Sequence, residues 1–259
     1  MQLLLLALVA TAMMAAVTAF SNRGVTRFST SLGVSAVEDK KEVEAYFNGE
    51  GFGRWNKIYS ESDEVNKVQL DIRDGHQQTI DKVLAWFDKE DNKKNTLCDA
   101  GCGTGSLALP SARGFKKVFA SDISAAMVKE TKDRAKKEGL RNIEYKTSDM
   151  ETLKGKYDTV TCIDVMIHYP TDAMYDIVGH LGSLTDKRLI LSFAPKNFLY
   201  STLKKVGELF PGPSKTTRAY LHPEDDVVKA LKQAGFTIKR KGMTSTNFYF
   251  SRLLEAVKE

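Results

Sequence analysis

Leu97-Cys98-Asp99-Ala100-Gly101-Cys102-Gly103-Thr104-Gly105-Ser106-Leu107 decides how the rest of this chain is read. A short apolar run ends in an acid, three glycines follow at alternate positions, and a helix is expected directly behind them. Glycine is needed where the backbone bends sharply or where a ligand packs on bare main chain. The helix N-terminus behind such a turn offers free N–H groups and a partial positive charge. The spacing is not the dinucleotide pattern G-x-G-x-x-G, because the third glycine comes one residue early. Nor is it a Walker loop, since no Lys-Ser or Lys-Thr follows.

Downstream of the turn, strand and helix alternate. Apolar runs at 96–100, 117–121, 142–145, 159–163 and 188–193 read as strands, with helices at 124–138 and 172–184 between them. Short strands separated by helices predict a doubly wound, mostly parallel α/β sheet covered on both faces. A helix at 223–234 and strands at 236–239 and 247–254 end the chain, so seven strands are expected, the last two as an antiparallel hairpin closing one edge. Upstream, 38–90 reads as a helical arm. Val65, Val68 and Ile72 mark one amphipathic stretch, and Ile80, Val83, Leu84 and Phe87 a second. The rhythm breaks at 194–222, an aromatic and basic insertion with Phe198, Tyr200, Phe210, Arg218 and the Pro211-Gly212-Pro213 element. It reads as a lid or as a rigid surface turn. The expected organisation is a presequence at 1–37, the arm at 38–90 and the core at 91–259.

Asp99 is poorly placed beside a phosphate and suits a ligand with an ammonium group. The turn resembles motif I of the class I S-adenosylmethionine-dependent methyltransferases, Asp-x-Gly-x-Gly-x-Gly, and matches it at every fixed position. The resemblance implies a Rossmann-like methyltransferase fold and assigns Asp99, Gly101, Cys102, Gly103 and Gly105 to the cofactor, S-adenosylmethionine. Asp122, with Ile123 beside it, ends the second strand, where an acid can accept both ribose hydroxyls. The plainer alternative is that Asp122 or Ser124 only caps the next helix. In the same pattern Asp149 receives the adenine amino group and Met150 packs on the ring, although alone Asp149 is an ordinary loop acid. Ligands of open α/β sheets bind beyond the carboxyl ends of the strands. Asp164, placed in the cofactor set, and His168 fall there, behind the fourth strand.

The bulk composition, 42% hydrophobic and 27% charged over 259 residues, is that of an ordinary globular protein. An apolar run from Leu3 to about Val17 ends in Val17-Thr18-Ala19, the h-region and cleavage pattern of a secretory signal, although no Lys or Arg precedes it. The alternative, a membrane anchor, needs about 20 apolar residues. Residues 21–37 carry Ser, Thr, Arg23 and Arg27, and no acid occurs before Glu38. With Phe20 after the expected cut, this resembles the two-part plastid presequences of algae and implies a plastid location. Removing Arg23 and Arg27 from the formal +5 leaves about +3, too mild to suggest nucleic-acid binding. From Lys196 onward twelve Lys or Arg face six acids, either a solvated surface or an anion-binding one. Cys98, Cys102 and Cys162 form no C-x-x-C pair, and no metal site is expected. Cys98 and Cys162 sit in strand-like runs and are expected to be small core residues.

The arm carries Tyr46-Phe47-Asn48-Gly49-Glu50-Gly51-Phe52-Gly53-Arg54-Trp55-Asn56-Lys57-Ile58-Tyr59, then Val65 to Arg73 and Gly75-His76. Methyltransferase folds in general do not require this block. It resembles the N-terminal arm of the magnesium protoporphyrin IX O-methyltransferases of chlorophyll biosynthesis. The likeness continues through Ala120-Ser121-Asp122-Ile123-Ser124 and Asp164-Val165-Met166-Ile167-His168-Tyr169-Pro170. It implies methyl transfer to a propionate carboxylate of magnesium protoporphyrin IX; since that reaction rests on positioning, Tyr46 and His168 are expected to orient the carboxylate by hydrogen bonds. Arg54, Trp55 and Tyr59 are the expected substrate contacts, with flat faces for a macrocycle and a cation for a propionate. It also implies contact with magnesium chelatase, and a poorly soluble porphyrin is compatible with peripheral thylakoid or envelope association. Two alternatives stand: a methyltransferase for another plastid small molecule, which would need no macrocycle-sized arm, and a non-catalytic tetrapyrrole carrier. The intact Asp99, glycine and Asp122 set argues against the carrier.

Overall fold

Leu97 and Cys98 are neighbours in sequence and both buried, yet they belong to opposite halves of the core. Successive side chains of a strand point to opposite faces, so a strand apolar at every position must be covered on both sides. Leu189 and Leu191 pack on one face and Ile190 on the other. This burial is why the core strands read as unbroken apolar runs. The computed structural model describes residues 31–59, 65–196 and 220–259, with side chains from Lys40 onward. The presequence expectations at 1–30, and residues 197–219 of the insertion with Phe198, Tyr200, Phe210, Pro211, Gly212, Pro213 and Arg218, lie outside the described residues. Glu38–Glu259 forms one unit.

The described helices are α1 (Ser31–Asn48), α2 (Glu50–Ile58), α3 (Lys67–Phe87), α4 (Ala108–Ser111), α5 (Ala125–Lys137), α6 (Thr171–Leu184) and α7 (Glu224–Gln233). The strands are β1 (Thr96–Ala100), β2 (Lys117–Asp122), β3 (Ile143–Thr147), β4 (Tyr157–Cys162), β5 (Thr185–Phe193), β6 (Phe236–Ser245) and β7 (Phe250–Lys258). They form one seven-stranded sheet in the order β3-β2-β1-β4-β5-β7-β6. The first five strands pair in parallel, and β7 runs antiparallel to both β5 and β6. The expected C-terminal hairpin is therefore present, but its second strand lies inside the sheet and its first forms the edge. Ile80, Val83 and Phe87 of α3 cover one face with Leu107 and Ala108. Met174, Ile177, Val178 and Leu181 of α6 cover the other with Val227 and Leu231 of α7. Cys98 and Cys162 are free and buried among them, and burial pushes the Cys98 thiol up to about 12.

Three local details differ from the sequence reading. The two amphipathic stretches of the arm are one helix, α3. It begins after Val65 at an Asn66–Gln69 capping box, in which each side chain accepts from the other residue's backbone N–H. The helix behind the glycine turn starts at Ala108 and is short; Pro110 has no N–H to donate back to Ser106. Strand β6 runs on to Ser245, well beyond the expected 239.

Candidate active site

The acids that the sequence singles out converge at the carboxyl ends of the parallel strands. Asp99 ends β1 almost wholly buried, and Thr161 Oγ1 of β4 donates to it at 2.8 Å. Burial pushes its carboxyl up to about 6, against the lowering effect of the Thr161 bond. Gly101, Gly103 and Gly105 all have positive φ, at 83°, 53° and 90°. The N–H groups of Gly101 and Cys102 both donate to the Ser121 carbonyl, which ties the turn to the end of β2. A Cβ on Gly101 would stand 2.2 Å from Val165 Cγ2, whereas a Cβ on Gly103 would meet only open space. The turn is thus packed on one side and open on the other, where a ligand can reach bare main chain.

Asp122 accepts the Gly103 N–H at 3.0 Å on one oxygen and the Ser124 N–H at 2.9 Å on the other. The helix cap itself is Ser124, which accepts from Met127. The Ile123 backbone also bonds this carboxylate, so three main-chain donors leave it one acceptor direction of its four. Ile123 beside it is half-buried. Asp149 caps the short 3₁₀ turn Met150–Thr152 and also holds Lys40 of α1 at 2.8 Å. Met150 is buried, with its sulfur 3.6 Å from Cys162 Sγ. Buried Thr104 Oγ1 and Ser121 Oγ have no hydrogen-bond partner among the described residues. Open glycine backbone, two strand-end carboxylates and orphaned hydroxyls fit a polar nucleoside cofactor. Among the described residues no group of three or more His, Cys, Asp or Glu is placed to hold a metal.

The arm closes over this end of the sheet. The Ser124 hydroxyl lies 3.0 Å from both the Phe47 carbonyl and Asn48 Oδ1, and Arg134 donates to the Tyr59 carbonyl and to Asn56. A file of rings results. Phe47 meets Tyr46 at 5.2 Å, His168 at 5.4 Å and Trp55 at 6.5 Å. Trp55 meets Tyr59 at 5.4 Å, and Tyr59 stacks on His76 at 4.4 Å. Phe47 therefore stands between Tyr46 and His168, a role not legible from spacing. Burial pushes the His168 imidazole down to about 4, despite the nearby Asp164 charge, so the ring is neutral at physiological pH. Arg54 Nε and Trp55 Nε1 are buried donors without a hydrogen-bond partner among the described residues. Such donors are costly unless something fills them.

Asp164 lies beyond the end of β4 and accepts from His76, Tyr249, Ser192 and Ser251. Burial alone would raise its carboxyl, but His76 and these hydroxyls hold it below the usual carboxylate range. The next turn, Met166–His168, is held from below: His222 Nε2 donates to the Met166 carbonyl at 2.9 Å and the Tyr220 N–H to the Ile167 carbonyl at 2.7 Å. The sequence reading missed His222, Tyr249, Ser192 and Ser251 as partners of this loop. Only the Gly75-His76 pair carried a signal, a glycine inside a helix beside a histidine.

The sheet order, the strand-end acids and the glycine turn define a class I methyltransferase, and a methyltransferase-domain family model matches residues 97–185. A second model, magnesium-protoporphyrin IX methyltransferase C-terminus, matches residues 162–258. The chloroplastic magnesium protoporphyrin IX methyltransferase of Arabidopsis thaliana is 54% identical over 222 residues, 85% of this chain and 71% of that protein. The magnesium-protoporphyrin O-methyltransferase of Synechocystis is 53% identical over 227 residues, 86% of this chain and 98% of the relative. A crystal structure of magnesium protoporphyrin IX methyltransferase from Synechocystis with bound SAH superposes with a TM-score of 0.78 at 51% identity, covering 85% of this chain and all of that one. The chain belongs to the magnesium-protoporphyrin IX methyltransferase family.

Proposed function

We propose that this protein transfers the methyl group of S-adenosylmethionine to a propionate carboxylate of magnesium protoporphyrin IX, giving the monomethyl ester. The observation that carries the reading is the ring-lined arm over the cofactor end of the sheet, with Arg54 Nε and Trp55 Nε1 buried and unpaired. Relatives at 53–54% identity that match across the arm carry the same activity in their names.

When bound, the cofactor supplies an electrophilic methyl on a sulfonium sulfur. The carbon–sulfur bond breaks as a carbon–oxygen bond forms to the carboxylate, and no proton moves. A carboxyl group with a reference pKa near 4 is already ionised at neutral pH, so no strong base is needed. The protein's work is alignment and exclusion of water, of which in-line positioning contributes up to roughly 7–11 kcal/mol in favourable cases. Asp99, Gly101, Cys102, Gly103 and Gly105 cradle the methionine end of the cofactor. Asp122 with Ile123 takes the ribose, and Asp149 with Met150 the adenine; Asp164 borders the pocket. Tyr46 and the neutral His168 orient the propionate by donated hydrogen bonds. Arg54, Trp55 and Tyr59 hold the macrocycle.

The protein works in the plastid, the compartment in the Arabidopsis relative's name. Residues 1–37 serve as a signal plus transit sequence, 38–90 as the substrate arm and 91–259 as the catalytic core with the 194–222 insertion. Magnesium chelatase delivers the substrate, with peripheral contact to thylakoid or envelope membranes.

The test is incubation of the protein with labelled S-adenosylmethionine and magnesium protoporphyrin IX, followed by chromatography. A labelled, base-labile porphyrin ester is expected. Its absence while the cofactor still binds overturns the porphyrin assignment.

A further inference from the structure

Among the described residues Asp164 is the one non-glycine residue with a left-handed backbone, at φ 59°. That conformation is uncommon for a residue with a Cβ, although Asp and Asn adopt it more readily than others, and it persists where the surroundings over-determine it. Here they do. Oδ2 of Asp164 accepts from His76 Nδ1 at 2.8 Å and the Tyr249 hydroxyl at 2.7 Å. Oδ1 accepts from the hydroxyls of Ser192 at 2.8 Å and Ser251 at 3.3 Å, and the Asp164 N–H returns to Ser192 Oγ at 2.7 Å. These four donors use the carboxylate's four lone-pair directions, so its hydrogen-bonding capacity is committed to the protein.

What Asp164 governs is therefore the course of the chain. The next residue, Val165, presses Cγ2 against bare Gly101 of the cofactor turn. Three residues further, His168 donates its N–H to the Val165 carbonyl at 3.0 Å and sets its ring edge-on to Phe47. One left-handed residue thus seats both the wall of the cofactor turn and the ring facing the arm. Of its donors, His76 is the one stacked on the arm residue Tyr59, at 4.4 Å. Gly75 lets Tyr249 lie against the same turn of α3, since a Cβ there would stand 2.5 Å from the Tyr249 ring.

We infer that His76 is a positioning residue for the methyl transfer: through Asp164 it fixes the left-handed turn that seats Val165 on the glycine loop and His168 on the arm. Its kinetic consequence rests on the methyl-transfer reading of this site; its structural consequence does not. His76→Ala, His76→Asn, Asp164→Asn and the double variant H76A/D164N are compared with the wild-type full chain by three measurements: hydrogen exchange, porphyrin methylation, and SAH titration. Asparagine at 76 can place its amide N–H near the site of Nδ1, and asparagine at 164 tolerates the left-handed backbone.

For H76A, amide exchange across residues 163–169 should accelerate by about tenfold while α6 is unchanged. The kcat should fall about tenfold to a hundredfold, with SAH affinity held within about threefold. H76N should recover most of both losses. The double variant should be no worse than D164N, because two residues acting in series are not additive. Unchanged exchange at 163–169, additive losses, or a defect that H76N does not relieve overturns the inference. If the wild type itself fails to methylate the porphyrin, the substrate reading falls, and the exchange data still decide the role of His76.

Discussion

Two buried polar clusters lie at opposite ends of the same strands, and they are built on opposite principles. At the amino ends, Arg188 of β5 is almost completely buried and fully matched. It donates to Glu90 at 3.1 Å, Glu255 at 3.4 Å and Asn92 at 3.2 Å, contacts Thr159, and lies 4.9 Å over the Phe87 ring. Arg240 completes the set from the other side of Glu255 at 3.1 Å. At the carboxyl ends, by contrast, Thr104, Ser121, Arg54 and Trp55 keep unpaired polar atoms, and Asp99 and His168 are pushed toward neutrality. In the amino-end cluster the charges are matched, although Glu255 Oε2 meets Arg240 as an ion pair without a hydrogen bond, and this balance contributes to holding the strands in register. A cluster left short of partners is poised for something that arrives from outside, as expected where perturbed groups gather in a cleft.

The contrast can be broken first at the balanced end. Glu255→Ala leaves Arg188 short of a buried partner and should cost about 3–5 kcal/mol of stability. Denaturant unfolding should show the loss, while kcat per folded molecule stays at the wild-type value; a fall in kcat would mean that the two ends are not separable. At the other end His168→Ala should do the reverse, lowering kcat on the order of a hundredfold with little change in unfolding midpoint or SAH affinity.

Next in size is a pH effect. Burial pushes the Asp99 carboxyl up to about 6, so its contribution to stability is complete below its unfolded value near 4 and is lost as pH rises through 6. A cofactor ammonium selects the ionised form, so cofactor affinity should increase about tenfold between pH 5 and pH 7. Asp99→Asn should flatten that dependence in calorimetric titrations. The smallest effect concerns Lys40. Its pair with Asp149 is partly exposed and worth roughly 0.2–1 kcal/mol. If Asp149 serves the adenine, Lys40→Met should tighten cofactor binding by no more than about threefold, and weaker binding would instead make Lys40 part of the site.

How much of this was legible depended on how local each signal is. The glycine turn, Asp99 and Asp122 are read correctly to the ends of β1 and β2, because turn chemistry and strand periodicity are written within a few residues. Strand and helix types along β1–β5 were legible for the same reason. The position of β7 inside the sheet was not, since pairing order is a property of the whole sheet. The two amphipathic stretches of α3 join through Gly75, which packs against Tyr249. Least legible was the environment of Asp164, whose donors His76, Ser192, Tyr249 and Ser251 come from α3, from two strands and from the hairpin. Trp55 and Tyr59 are read as flat faces for a substrate, and Phe47 lies in the same stretch of the arm. The structure shows them also meeting one another, His168 and His76.

The seam between α3 and the last hairpin bears on biogenesis. Asp71 accepts from Thr246 Oγ1 at 2.6 Å and from the N–H groups of Asn247 at 3.2 Å and Phe248 at 2.7 Å, and Tyr249 reaches Asp164 across the same seam. Partners about 175 residues apart cannot meet until the last strands have been made, and such distant pairings form late. Until β7 arrives, β5 has a bare hydrogen-bonding edge in the middle of the future sheet, the kind of edge that invites association with other chains. The four-donor seat of Asp164 is therefore complete only when β7, which carries Ser251, is in place. Before that strand is in place, the unfinished sheet is most open to wrong pairing.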